Sequence, residues 1–248
     1  MVAKQSTSEP STSAGPYLIT LIVAALLNLG LRLRILDHFL HGHHAISGPL
    51  AWLQRGLLTV FVGLLLLFIA NLLARLLPLR TGSRFWSRQA LQRLAVLASG
   101  MAATNLLSEN LAIYRLNLAS YTLMVEAFVL YLSITLIFLF WYWHVDNPPR
   151  YQGTLWQTDA IASAGSVPMP YGIVFPEESL ERDLQHSGHW RPAFIDYCYF
   201  TILSSNCFGP PEGHLLVGQA IKKLHIVHSL SMLLVFIVIL ARAINTLS

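Results

Sequence analysis

Between Arg55 and Arg75 the chain carries no charge: Gly56 to Ala74 is one uncharged run, apolar but for Thr59 and Asn71. A stretch of about 20 such residues is what the hydrocarbon core of a bilayer requires of a helix. Inside lipid every backbone N–H and C=O must be satisfied within the protein, so a single run of this kind can only be helical. This feature alone removes most soluble folds from consideration. The rest of the chain agrees with it, being 54% hydrophobic and 11% charged with a mean hydropathy of +0.55, as suits an integral membrane protein.

Three further segments read as spans. Ala127 to Trp143 is uncharged and extends back through Tyr121 if Glu126 is tolerated, and Leu224 to Ala241 is another such run. Pro16 to Leu31 is short, but its helix continues past Arg32 and Arg34 if those side chains snorkel to the interface. Leu94 to Ser108 is more polar: it holds Ser99, Gly100, Thr104 and Asn105, then meets Glu109 and Asn110. The expected fold class is an all-α integral membrane protein with four or five transmembrane helices. The helices are expected near 16–40, 50–77, 92–116 and 120–144, within a transmembrane region 16–144. A polar, Ser/Thr/Pro-rich tail, 1–15, precedes them and reads as disordered. The first run lacks a small-residue cleavage site, which favours an uncleaved first helix. A polar extramembrane loop, 145–189, follows, with three prolines in Val167 to Pro176 and an acidic cluster at Glu177, Glu178, Glu181 and Asp183.

The net charge of +4 and pI of 9.2 arise largely from arginines at helix ends. That distribution speaks of topology and not of a nucleic-acid partner. Arg75, Arg80, Arg84, Arg88 and Arg93 crowd the link after the second helix, and the positive-inside rule places that link in the cytoplasm. Four complete crossings would put 145–189 there too.

The last quarter, 190–248, has a different design. Asp196-Tyr-Cys-Tyr-Phe-Thr-Ile-Leu-Ser-Ser-Asn-Cys-Phe-Gly-Pro-Pro-Glu-Gly213 is a short apolar run that ends in a loop of Ser, Asn, Gly and Pro. A membrane-length helix begins directly afterwards, near Gly218. Irregular backbone at membrane depth is tolerated only where protein buries it or where it lines a water-filled cavity. From about Trp190 to Thr246 the layout resembles the pore region of the potassium-channel superfamily, with a re-entrant pore helix and filter-like loop before the last helix. Asp196 to Thr201 resembles the start of a pore helix, and Ser204, Ser205 and Asn206 fall on its Thr-rich end. Cys207, Phe208, Gly209, Pro210 and Pro211 fall on the filter Thr-Val-Gly-Tyr-Gly, and Glu212 takes the acidic place after it.

Only Gly209 survives from the filter, and Pro211 stands where a glycine-only conformation is needed. The resemblance therefore implies a channel-like protein with a non-standard filter and weak cation selectivity. Its pore would be lined by Ser204 to Glu212, with Asp196 as the anchor of the pore helix. It further implies a homo-oligomer, a tetramer by analogy, with membrane lipid and a permeating ion as partners. No enzyme activity, cofactor, metal or nucleic acid is expected. The architecture also resembles that of uncharacterised bacterial inner-membrane proteins, which places the chain in a cell membrane as a multi-pass protein. A potassium-channel pore loop enters from outside, in conflict with a cytoplasmic 145–189 segment unless 94–116 fails to cross.

Two other readings remain: a non-conducting membrane protein that keeps the hairpin for packing, and a di-metal membrane oxidoreductase. The second rests on eight of the ten histidines, at His38, His41, His43 and His44, at His186 and His189, and at His225 and His228. Two imidazoles three residues apart on a helix share a face. The favoured expectation is that His38 to His44 bind free carbonyls or water at a helix end, and that His225 and His228 face a pore vestibule. Cys198 and Cys207 would lie about 13 Å apart if helix joined them, too far for a disulfide. Glu109 and Glu126 are expected in structural ion pairs, with Arg115 as the nearest cation in sequence. Trp141-Tyr-Trp143 reads as an aromatic belt at the membrane interface.

Overall fold

A computed structural model of the protein describes residues 14–41, 49–76, 88–112, 120–151, 172–178, 190–207 and 209–245. Its elements in chain order are α1 (Gly15–His41), α2 (Pro49–Leu76), α3 (Arg88–Ala112), α4 (Ser120–Tyr151), β1 (Gly172–Val174), α5 (Phe194–Cys207), β2 (Leu215–Val217) and α6 (Gln219–Asn245). Four stretches are long and apolar enough to cross a membrane: Gly15–Asp37, Ala51–Ala74, Met124–Asp146 and Gln219–Leu240. The architecture is that of a multi-pass helical membrane protein.

α4 forms the centre of the bundle. Of its span 56% is buried, against 11% for that of α2, which lies at the periphery. Such a central helix has to satisfy neighbours on most sides, and α4 packs against α1, α3, α5 and α6. Most aromatic residues in its second half turn inward, while Phe128 is exposed. Tyr142 and Trp143 are buried, and Trp143 stacks on Tyr17 of α1 with ring centroids 4.1 Å apart. The expected interfacial belt is thus largely internal packing, because α1 and α5 cover the face of α4 that would otherwise meet lipid.

Side-chain contacts fix the helix directions. Tyr17 meets Trp143 and Asn28 meets Ser133, so α1 and α4 are antiparallel. Asn28 meets Asn105 and Arg32 meets Ser108, so α1 and α3 run the same way. Gln54 bonds the Ser108 carbonyl while Leu64 lies against Gly100, so α2 opposes α3. A Cβ on Gly100 would come 2.9 Å from a Leu64 methyl, and it is this missing side chain that admits α2 so near. Arg88, the first residue of α3, donates to the backbone carbonyl of His144 near the end of α4. The start of α1, the end of α2, the start of α3 and the end of α4 therefore share one end of the bundle.

α3 is 25 residues long, about 37 Å at the helical rise, and runs alongside its neighbours for its whole length. It is not among the apolar spans. Of the polar residues that lower its hydropathy, Thr104, Asn105, Ser108 and Glu109 are buried in the bundle, whereas Arg88, Gln89, Gln92 and Arg93 in its first turns are exposed.

The ribbon caps the end where α4 finishes. β1 and β2 pair antiparallel, Gly172 with Val217, Ile173 with Leu216 and Val174 with Leu215. Asp146 on α4 holds this ribbon, one carboxylate oxygen accepting from the Ile173 amide. The other oxygen accepts from the Tyr197 hydroxyl on α5. From there α5 descends along α4, with Tyr142 on Phe200, Thr135 beside Ser205 and Tyr131 bonded to Asn206. By His214 the chain is back beside Phe175 at the ribbon. α6 then descends parallel to α5, as the pairs Phe200–His225 and Ser205–His228 show. Among the elements described, α5 and α6 thus both start at the ribbon end.

Candidate functional site

Tyr131, Thr135, Tyr142 and Asp146 lie at spacings of four, seven and four along α4, which is one face of a helix with 3.6 residues per turn. α5 presents Tyr197, Thr201, Ser204 and Ser205 to that face, all buried. α6 adds His225 and His228, three residues apart, and His228 is fully buried. The seam between these helices therefore holds a set of hydroxyl and imidazole groups in an apolar surround of Phe138, Phe200 and Met232.

The groups are joined. The Tyr142 hydroxyl lies 2.9 Å from Nδ1 of His225 and 3.0 Å from Nδ1 of His228. Nε2 of His228 lies 3.1 Å from Oγ of Ser205, which is 3.2 Å from Oγ1 of Thr135. Below them Tyr131 donates to the side-chain oxygen of Asn206 at 2.7 Å. Phe138 stacks on His228 at 4.3 Å and closes one side. Along α4 the set extends from Tyr131 to Tyr142, about 16 Å of helix.

A hydroxyl has one proton, so Tyr142 can donate to only one of its two histidines and must accept from the other. If it donates to His228, the Nε2–H of that ring points at Ser205, and Ser205 donates to the Thr201 carbonyl at 2.8 Å. If it donates to His225, His228 carries its proton on Nδ1 and Nε2 accepts from Ser205, which is then free to accept from Thr135. The chain has two complete arrangements of opposite sense. His225 Nε2, at the ribbon side, is buried without a hydrogen-bond partner among the described residues. In the first arrangement it is a vacant acceptor, and in the second an unused donor.

A second buried polar cluster joins α1, α2, α3 and α4. Arg32 donates to the Ser108 hydroxyl at 2.7 Å and to the Leu57 carbonyl at 3.1 Å, and lies 5.0 Å over the Phe61 ring. Glu109, 2% exposed, acts electrostatically on it. Asn28 donates to Ser133, and Asn105 donates to Asn28 at 3.0 Å. Arg115, the cation expected beside Glu109 and Glu126, lies outside the described residues. Arg32, on a different helix, supplies the charge near Glu109. Arg34, two residues on, is exposed.

The residues singled out for the pore separate into two groups. Ser204 and Ser205 are fully buried within the bundle, Ser205 in the hydrogen-bonded chain and Ser204 Oγ without a partner among the described residues. Asn206 is exposed and bonded to Tyr131. Pro210 and Glu212 are exposed, Gly209 is half-buried and Pro211 is buried, its carbonyl accepting from the His214 amide at 3.0 Å. The Cys207 side chain and Phe208 lie outside the described residues. Asp196 accepts from the Ala193 amide at 2.6 Å and so caps the first turn of α5. The side chains of His38 and His41, and the whole of His43, His44, His186 and His189, lie outside the described residues as well. Within those residues no group of three or more His, Cys, Asp or Glu side chains is placed to hold a metal ion.

No protein-family model, curated protein or solved structure matches the chain.

Sequence reasoning missed Thr135 and Tyr142. The signal was present, since hydroxyl residues recur on one face of an otherwise apolar helix. Tyr142, however, sat inside a Trp-Tyr-Trp triplet that has an ordinary interfacial explanation.

Proposed function

We propose that this is a channel-like protein of the cell membrane, with the proton as the species it passes. In this reading α5 and the segment after it form a re-entrant hairpin from the ribbon side, and the conducting seam runs between α4, α5 and α6. The observation that carries it is His228, whose two ring nitrogens both sit in hydrogen bonds, to Tyr142 and to Ser205. An imidazole so placed can take a proton at one nitrogen and release one at the other. Ionisable groups inside a membrane-spanning segment are costly and mark ion or proton paths. The parallel course of α5 and α6 supports the hairpin, because the chain ends α5 beside Tyr131, deep along α4, and is back beside Phe175 at the ribbon by His214, before α6 begins.

The test is proton flux into liposomes that enclose a pH-sensitive dye, driven by a potassium diffusion potential with a potassium carrier present. Wild type should acidify the lumen well above protein-free liposomes, and His228→Phe should lower the rate at least tenfold. Flux equal to that of empty liposomes from well-folded wild type would refute the reading and favour the hairpin as a packing element.

A second reading is an oligomeric cation pore, as the resemblance to potassium channels implies. The exposed stripe Ile195, Tyr199, Ile202 and Asn206 on α5 favours it, since such a face can meet neighbouring subunits. In that case sodium and potassium would both pass with little discrimination, and Glu212→Gln would reduce their flux while His228→Phe would not.

A further inference from the structure

On the side of α4 away from α5, a cavity of about 560 Å³ opens between α3, α4 and α6. Its walls are Ala102 on α3, Ile134, Phe138 and Trp141 on α4, and Val227 on α6, with Lys223 at one end. The volume is that of a small-molecule site, yet the polar groups are few. Trp141 spends its indole N–H on Ser99 at 3.0 Å, so the ring presents carbon to the cavity.

The long axis of the cavity follows the helices. Lys223 lies in the first turns of α6 and Trp141 near the ribbon end of α4. Ile134 and Ser231, which also line it, lie deeper. The space is therefore apolar along its length and cationic at the end nearest the ribbon. Lys222 stands beside Lys223, and both are exposed. A soluble metabolite would find few hydrogen bonds here. An amphiphile with a fatty chain and an anionic head matches both ends. Basic pockets between membrane helices are where anionic headgroups bind.

We infer that this groove holds an acyl chain of an anionic phospholipid from the leaflet on the ribbon side, with its phosphate paired to Lys223. The site is separate from the hydroxyl and imidazole chain, although Phe138 belongs to both: one face lines the groove and the ring stacks on His228.

Trp141 is the natural reporter. The protein is placed in phosphatidylcholine nanodiscs containing a few mole per cent of lipid brominated on its acyl chain, as phosphatidylglycerol or as phosphatidylcholine. Subtracting the fluorescence of Trp141→Phe isolates the Trp141 signal. Brominated phosphatidylglycerol should quench Trp141 at lower mole fraction than brominated phosphatidylcholine. Lys223→Gln should weaken that preference about fivefold, and Lys223→Arg should retain it. Lys223 is exposed, so neither variant threatens the fold. Ala102→Phe, which fills the groove without adding a further tryptophan, should abolish quenching by both lipids. Equal quenching by the two headgroups in wild type would overturn the inference. So would a preference untouched by Lys223→Gln, or quenching that survives Ala102→Phe.

Discussion

Gly172 is pressed against Asp146: a Cβ on Gly172 would lie 2.0 Å from Oδ1 of the carboxylate. The same glycine has a φ of +100°, which side-chain-bearing residues adopt only at a cost of about 1–2 kcal/mol. Gly172→Ala must therefore displace the carboxylate that holds both the Ile173 amide and the Tyr197 hydroxyl. The expected loss is about 2–4 kcal/mol of stability, seen as a lower melting temperature in detergent. Gly30→Ala, where a Cβ meets nothing within 4 Å, should be neutral or slightly stabilising. Equal melting temperatures for the two variants would count against the packing described.

Arg32 and Glu109 should behave as a coupled pair. Removing either partner of a buried pair leaves a charge uncompensated and costs about 3–5 kcal/mol. Arg32→Met or Glu109→Leu alone should then be strongly destabilising. The double variant should cost clearly less than the sum of the two. Simple additivity in a double-mutant cycle would show that the two side chains do not interact.

The helix directions make a topological prediction. In a background with Cys198 and Cys207 replaced by serine, cysteines at Gln89, Glu177 and Glu212 should label from one side of the membrane. A cysteine at Pro49 should label from the other. All four positions are exposed. The arginines at 75, 80, 84, 88 and 93 make the first side cytoplasmic by the positive-inside rule. Labelling of Glu212→Cys and Gln89→Cys from opposite sides would mean that α3 does not cross.

Within the α4–α5–α6 seam, neighbouring serines should differ. Ser205→Ala breaks the chain at His228 and should lower proton flux at least tenfold. Ser204→Ala removes a hydroxyl with no partner among the described residues and should leave flux near wild type. Tyr142→Phe should reduce flux as Ser205→Ala does and also lower the melting temperature, since both histidines lose a hydrogen bond worth about 1 kcal/mol each. Identical flux from the two serine variants would separate transport from the hydrogen-bonded chain.

The apolar spans were legible because hydrocarbon leaves a chain little choice beyond an apolar helix. α3 was harder to read for a physical reason. Thr104, Asn105, Ser108 and Glu109 look like reasons not to enter a membrane, and their compensation by Asn28, Arg32 and Gln54 depends on helix directions that no local pattern encodes. The seam was half visible. His225 and His228 stood out by their spacing, and Ser204 and Ser205 by their place at the end of a short helix. Which way those serines face follows from α5 lying parallel to α6, a tertiary fact. The Asp146 node was invisible, because it unites residues from three separate elements, α4, β1 and α5.

The three-residue pairing of β1 with β2 couples Gly172–Val174 mechanically to the start of α6. A displacement of β1 is transmitted through Val217, across Gly218 at φ +97°, to the first turn of α6. His225 is about two turns further along. A shift of the ribbon by the width of one hydrogen bond would move that imidazole relative to Tyr142 on α4, with which it shares a hydrogen bond. The ribbon and the His225–Tyr142 contact are thereby linked through the first two turns of one helix.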